Sequence, residues 1–525
     1  MGVPKLVAVG PEAVTSSDFD AVVLVVPDAQ AKLQHLPFHD VVERTTKVDA
    51  AFAATTNLVV VDEKQAAGGR LVFSPTGPLS RDQDDVRRYA DAAKAGVLRA
   101  KKAGSLRPLL VVAEREGPLP EELSKFLEVS LLAALAALYE PLQAREHLGE
   151  QQLEPTETVG FVIDDQEKGN YLTHVVSAME HGRRVARDIG SADPERMTPH
   201  NAAKYLTEAF NGSGVSVEVV ADLQELKKEY PLAYAVGRCS TQVDRHSPCI
   251  VRLEYAGEGE IDETLLLAGK GIVYDTGGAD IKYGGHMAGM HMDKGGAAGV
   301  AGFLKTVSLL KPKGVKVLAE LAFVRNSSGA DNYVADEIIV SHAGVRVMVG
   351  NTDAEGRMVL TDCVSHLREK ALKEKNARLM TCATLTGHAG RAVGPYSITL
   401  DNGPAHAQGL SPKLQAVAHQ WGDPFEISTL RREDYDLIAP KNSAYDVLQC
   451  NNLPSSMTAR GHQFPAAFII VASGLQKHGR DSEHPLCFSH LDIAGSAAEG
   501  GDYQHGKPTA TPVVALTARY LLDRI

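Results

Sequence analysis

The run Leu265-Leu266-Leu267-Ala268-Gly269-Lys270-Gly271-Ile272-Val273-Tyr274-Asp275-Thr276-Gly277-Gly278 decides how the chain is read. Its apolar part predicts a buried strand over 265–274, and the glycines after it predict a loop. The charged residues therefore fall where a strand ends and a loop begins, a common place for chemistry in an open α/β sheet. Lys282 and Asp293 follow, and Asn351-Thr352-Asp353-Ala354-Glu355-Gly356-Arg357 again packs acids and a cation around a glycine.

Working outward, the pattern alternates between helical and strand periods. A helix is predicted over 295–310, a strand over 315–324, a helix over 358–370 and a strand over 378–383. Val300, Phe303, Leu304 and Val307 form one apolar stripe, while Gly295, Gly296, Ala297, Ala298, Gly299 and Gly302 keep the first turns of that helix thin. Thin turns allow a close backbone approach. The glycines superficially resemble a phosphate loop, but no Lys-Ser or Lys-Thr follows them, so nucleotide binding is not expected. Toward the N-terminus, strands are predicted over 21–26, 58–61, 71–73 and 109–112, with helices over 82–103 and 121–139. Residues 140–165 are polar and irregular and suggest a boundary. A single helix over 171–188 follows, and Met197-Thr198-Pro199 reads as a cap with proline in the first turn. The expected organisation is α/β in two domains: a small N-terminal α/β domain (1–165), a linking helix (166–190) and a larger C-terminal α/β catalytic domain (191–525). The last would have a central mixed sheet flanked by helices.

The 525 residues leave room for a large core, and 44% hydrophobic with 23% charged residues is ordinary for a soluble globular protein. A formal charge of -12 argues against a nucleic-acid partner or an anionic membrane surface. Met1–Leu6 has no basic segment leading into a long apolar one, so no secretory signal is expected. The apolar run 129–139 is too short to cross a bilayer, which takes roughly 20 residues. The six cysteines are scattered without a C-x-x-C pair, which indicates neither a zinc ribbon nor a disulfide framework and suits a reduced cytoplasmic compartment.

Two divalent ions held about 3.5 to 4 Å apart can polarise a carbonyl and acidify a water, and they need several carboxylates. Asp275, Asp293, Asp353 and Glu355 supply four, and the glycines let these short side chains converge. Lys282 and Arg357 add fixed positive charge suited to an anionic intermediate or a bound anion. Periodicity leaves open which way Lys270 points. Each acid taken alone also fits a loop cap or a surface charge. His286, His291 and His342 form no paired ligand motif and read as structural or solvent-facing. Residue types and spacing thus reach a metal hydrolase among other readings. A two-metal phosphoesterase is a rival, though such sites usually recruit histidines.

The blocks at Gly269–Gly271, Asp275, Lys282, Asp293 and Asn351–Arg357, with Ala383-Thr384-Leu385-Thr386-Gly387 and His490-Leu491-Asp492-Ile493-Ala494-Gly495, resemble the leucyl aminopeptidase family, the M17 group of dinuclear metallo-exopeptidases. The resemblance covers roughly 180–525. It implies metal ligation by Lys270, Asp275, Asp293, Asp353 and Glu355, with Asp275 and Glu355 bridging two divalent ions. Zinc is the first expectation, with manganese, magnesium or cobalt as alternatives. It implies catalytic roles for Lys282, stabilising the anionic intermediate, and for Arg357, holding a bicarbonate that acts as general base. Met290 and Thr384 would line the pocket for the first side chain, and the backbone around Leu385 would bind substrate. The implied reaction is removal of the N-terminal residue from peptides with a free N-terminus, through a hydroxide activated by the two metals, in a cytoplasmic homohexamer. The alternative is a catalytically weak or inactive relative acting as an oligomeric binding or structural protein.

Three features depart from the family pattern. Lys294 replaces an apolar residue after Asp293, and Ala279-Asp280 stands in place of Leu-Ser; these are expected to add charge close to the metals. Residues 457–467 lack the usual glycine-rich character before the last pocket helix.

Overall fold

The computed structural model describes residues 2–27, 31–113, 115 and 117–525. The chain forms two compact units, Met1–His181 with His419–Asp423, and Gly182–Ala418 with Pro424–Ile525. The division falls inside one helix, Gln166–Ser191, which is longer at both ends than the pattern predicts.

The first unit holds strands β1 (Lys5–Val9), β2 (Ala21–Val26), β3 (Asn57–Val60), β4 (Arg70–Pro75), β5 (Pro108–Val112) and β6 (Thr158–Val162). They form one sheet in the order β1-β6-β5-β2-β4-β3. Every pairing is parallel except that of β3 with β4 at the edge. β2 is buried along its whole length, as an all-apolar central strand must be. The irregular boundary expected over 140–165 is corrected: it contains helices Leu142–Leu148 and Glu150–Leu153 and then β6. Gly160 within it is a packing residue, since a Cβ there would lie 2.3 Å from the Phe19 ring. The apolar run near 130 is the helix Phe126–Ala137, largely buried. No helix among the described residues is long and apolar enough to cross a membrane.

The second unit contains β7 (Ser216–Val220), β8 (Cys249–Ala256), β9 (Glu263–Asp275), β10 (Val315–Asn326), β11 (Ile338–Val340), β12 (Arg346–Met348), β13 (Ala377–Ala383), β14 (Ser397–Asp401), β15 (Phe425–Thr429), β16 (Val447–Leu448) and β17 (Cys487–Asp492). Eight of these form a mixed sheet in the order β15-β14-β17-β13-β9-β10-β8-β7. β9 runs parallel to both neighbours, β10 and β13. Helices cover both faces, so β9 is buried from Thr264 to Val273. Each of Leu265, Leu266 and Leu267, fully enclosed, contributes about 1.5–3 kcal/mol relative to exposure.

The helix Gly295–Leu310 lies against β9 as its thin first turns predict. A Cβ at Gly269 would sit 2.7 Å from the Ala297 Cα, and one at Gly296 would sit 2.1 Å from the Cys382 carbonyl oxygen. On the other face Leu266, Ala268 and Ile272 join a core with Met358 and Val359 of helix Glu355–Ala371 and with Phe464 and Phe468 of helix Phe464–Ala472. Lys270 shares the parity of those three β9 residues, which settles its direction: it points toward Glu355–Ala371.

Candidate active site

The acids converge because four segments meet at the C-terminal ends of the central parallel strands of the large sheet. β9 delivers Asp275, and β10 ends beside it with Asn326 paired to Asp275. The register shifts between Val324 and Arg325, a bulge that re-aims the last residues of the pair. The short helical turn Met290–Lys294 brings Asp293. The loop 351–354 presents Asp353, and helix Glu355–Ala371 begins with Glu355 and Arg357 in its first turn. That helix starts three residues earlier than the apolar pattern indicates, because its first turn carries the site instead of the core.

Asp275, Asp293 and Glu355 are buried and offer oxygens that all lie within 4.8 Å of one another. Lys270 Nζ is 2.8 Å from Asp293 Oδ1 and 2.9 Å from Glu355 Oε1, and it donates to the Thr384 carbonyl at 2.9 Å. Lys282 Nζ is 2.9 Å from Asp275 Oδ2 and 2.5 Å from Asp353 Oδ1. Gly356 makes room for Lys270, since a Cβ there would lie 2.6 Å from its Cε.

The electrostatics follow from this crowding. Burial would lower both lysines, but Asp293, Glu355 and Asp275 raise Lys270, and Asp275, Asp353 and Glu355 raise Lys282. Burial, then the neighbouring carboxylates, raises Asp293 well above the ordinary carboxyl range and lifts Glu355. The same causes push Asp353 up to about 7. Four acids face two lysines, so ionising all four would leave two negative charges uncompensated in a low-dielectric site, which is why the carboxyls shift up. Asp293 Oδ2 is buried with no hydrogen-bond partner among the described residues. A carboxylate-rich set with an unpartnered carboxylate oxygen fits divalent cations.

Arg357 is 2% exposed. Its Nη1 donates to the Gln449 carbonyl at 2.9 Å, its guanidinium carbon lies 4.7 Å from the Phe464 ring centroid, and its Nε has no hydrogen-bond partner. Asp353, Glu355 and Arg357 line a cleft whose apolar wall includes Leu385, Leu453 and Pro454. Of the residues expected to meet substrate, Leu385 lines this cleft, but its amide donates to Asp492 Oδ1 at 3.1 Å. The Thr384 hydroxyl donates to Asp293 Oδ1 at 2.8 Å, and its carbonyl accepts from Lys270, so both polar groups serve the acid cluster. Met290 opens the turn that carries Asp293, is half-buried, and is not among the residues lining the cleft.

Several supporting residues have no signal in the sequence. Asn326 Nδ2 donates to Asp275 Oδ1 at 2.8 Å, to the Thr352 carbonyl at 3.1 Å and to Glu355 Oε2 at 3.3 Å. The Tyr333 hydroxyl donates to the same Thr352 carbonyl at 2.7 Å. The Gln449 side chain accepts from the amides of Gly350 and Asn351 and donates to the carbonyls of Asn351 and Ala354. Asp492 accepts from the Thr386 hydroxyl at 2.7 Å and the Leu385 amide, joining the two C-terminal motif blocks.

Lys294 is fully buried, and its ammonium turns away from the cluster to donate to the carbonyls of Ala192, at 2.8 Å, and His291. Burial pushes it down to about 7. Its hydrogen bonds thus go to backbone carbonyls and not to the acid cluster. Asp280 is spent on the loop that carries Asp353. His286 is exposed and His291 half-buried. Glu229, His342 and His366 also come together, but the two imidazoles stack at 4.1 Å with 28° between their planes. Their nitrogens face other groups: His366 Nε2 lies 2.9 Å from the Glu229 carbonyl oxygen, and His342 lies 3.6 Å from the Glu229 carboxylate and 3.4 Å from that of Glu369.

A model of the cytosol aminopeptidase family, catalytic domain, matches residues 184–517. A Caenorhabditis elegans protein named "Putative aminopeptidase W07G4.4" is 40% identical over 512 residues, 96% of each chain. The "Cytosol aminopeptidase" of Rickettsia prowazekii is 28% identical over 372 residues, 70% of this chain and 69% of that one. Among solved structures, "Bottromycin maturation enzyme BotP in complex with Mn" superposes with a TM-score of 0.74 at 20% identity, covering 95% of this chain and 98% of that chain. At that identity the likeness shows a shared fold.

Proposed function

Because the chain belongs to the cytosol aminopeptidase family, we propose that it is a dinuclear metallo-aminopeptidase that removes the N-terminal residue from peptides with a free N-terminus. The observation that carries this reading is the buried cluster of Asp275, Asp293 and Glu355 with its open Asp293 oxygen. In this reading Lys270, Asp275, Asp293, Asp353 and Glu355 hold two divalent ions: zinc first, or manganese, magnesium or cobalt. When bound, such ions polarise the scissile carbonyl and lower the pKa of the attacking water.

The remaining roles belong to the chain itself. Lys270 must surrender its proton to act as a ligand, which makes metal binding proton-coupled. Lys282 keeps its charge beside Asp275 and Asp353 and stabilises the oxyanion that develops on the carbonyl. Arg357, pinned by Gln449 and Phe464, directs its unpartnered Nε toward an anion, for which bicarbonate as general base is the candidate. Leu385 packs against the substrate, and Met290 and Thr384 bound the pocket of the first side chain. Residues 191–525 form the catalytic domain, 1–165 an accessory domain and 166–190 the helix joining them, in a cytoplasmic homohexamer.

A second reading has its own support. Lys270 and Lys282 already pair with the acids, an arrangement that suits a catalytically weak relative with a binding or structural role. The two are separated by assaying protein loaded with zinc, manganese, magnesium or cobalt against a panel of aminoacyl amides and their N-acetylated forms. Turnover confined to free amines is expected. Stoichiometric metal with no turnover on any member would favour the second reading.

A further inference from the structure

Asp280 occupies a position the mechanism does not use, in the loop between the end of β9 and Lys282. Its carboxylate Oδ2 accepts from the Thr352 amide at 2.7 Å, and its own amide donates to Thr352 Oγ1 at 2.8 Å. The Thr352 hydroxyl in turn donates to the Gly277 carbonyl at 2.6 Å. These three bonds close a bridge between the loop that carries Lys282 and the loop that carries Asp353. From the far side the Thr352 carbonyl accepts from Asn326 and Tyr333, so Thr352 is fixed at its amide, hydroxyl and carbonyl together.

Beyond this bridge the chain is loosely held. Ile281 is 55% and Tyr283 85% exposed, and Gly284 and Gly285 both take positive φ. Gly277 and Gly278 before the bridge also have positive φ, so glycines flank the loop on either side and make it easy to bend. The Lys282 amide donates to the Thr276 carbonyl at 2.9 Å. Asp280 therefore supplies the last side-chain tether ahead of Lys282, and its charge makes the bond to Thr352 a strong one.

We propose that Asp280 is a positioning residue that locks the Lys282 loop onto the Asp353 loop, setting both the reach of the Lys282 ammonium and the aim of Asp353. The proposal rests on the aminopeptidase reading for its kinetic part. Its metal-binding part needs only that divalent ions bind the acid cluster, whether or not the chain is a peptidase. Asp280 touches no reacting atom. It acts through Thr352, as residues behind metal ligands commonly do, where substitution typically costs about 10–100-fold in affinity or activity.

The test compares Asp280→Ala and Asp280→Asn with the unaltered chain in three measurements: zinc affinity by chelator competition, kcat and KM on an aminoacyl amide, and thermal midpoint. Asparagine keeps an acceptor for the Thr352 amide. The expected result for alanine is a loss of zinc affinity and of kcat of about tenfold each, with KM within threefold and the thermal midpoint nearly unchanged. Asparagine should recover most of both. If alanine leaves zinc affinity and kcat within twofold, or if the asparagine variant fails as badly as alanine, the proposal is overturned. Should the unaltered chain turn over no amide, the aminopeptidase reading fails by itself. Zinc affinity in the two variants then still decides for or against the clamp.

Discussion

Asp353 sits near 7, raised by burial and by Asp275 beside it, from an ordinary value of 3.8. Asp293 and Glu355 shift in the same direction. A carboxyl whose folded pKa lies above its unfolded value binds more protons when folded. Its contribution to stability is therefore full below about pH 4 and is lost as pH rises through 7. Divalent ions held by these acids would compete with those protons and reverse the loss. The rise in thermal midpoint given by saturating zinc or manganese, relative to chelated protein, is predicted to grow between pH 5 and 7.5. Differential scanning fluorimetry measures it; a rise independent of pH would mean that ions do not bind at these acids.

Among the elements, β9 was the most legible, because a strand buried on both faces has to read as an uninterrupted apolar run. The helix Gly295–Leu310 was legible for a related reason, its small residues marking the turns that touch the sheet. β6 was not legible, since Gly160 serves a contact with Phe19 that only the folded chain reveals. The same limit applied at the site. Acids and lysines carry their chemistry in their names, so Asp275, Asp293 and Glu355 could be picked out by type. Asn326, Tyr333 and Gln449 act only through partners distant in sequence, and nothing local marks them. Gly356 belongs to both groups, lying inside a motif and also clearing space for Lys270 at the start of its helix. Gly356→Ala is predicted to displace the Lys270 ammonium and lower kcat at least tenfold, while helix propensity favours alanine by up to about 1 kcal/mol. Steady-state kinetics paired with thermal unfolding check this, and unchanged kcat would show that Lys270 needs no such clearance.

At the scale of the whole molecule, the second unit brings the end of β9, the Asp293 turn and the start of helix Glu355–Ala371 together at the C-terminal ends of the central parallel strands of a mixed sheet. The net charge of -12 belongs to the full chain, whereas the site is set by four acids crowded against two lysines at the ends of β9 and β10. The buried unpaired oxygen of Asp293 and its closeness to Asp275 and Glu355 support the central proposal, that these acids hold two divalent ions. An anomalous-difference map from crystals soaked in zinc or manganese tests it most directly. Two peaks per chain, both in contact with Asp275 and Glu355 and one of them also with Lys270 and Asp293, are predicted. A map with no peak among these residues would contradict it.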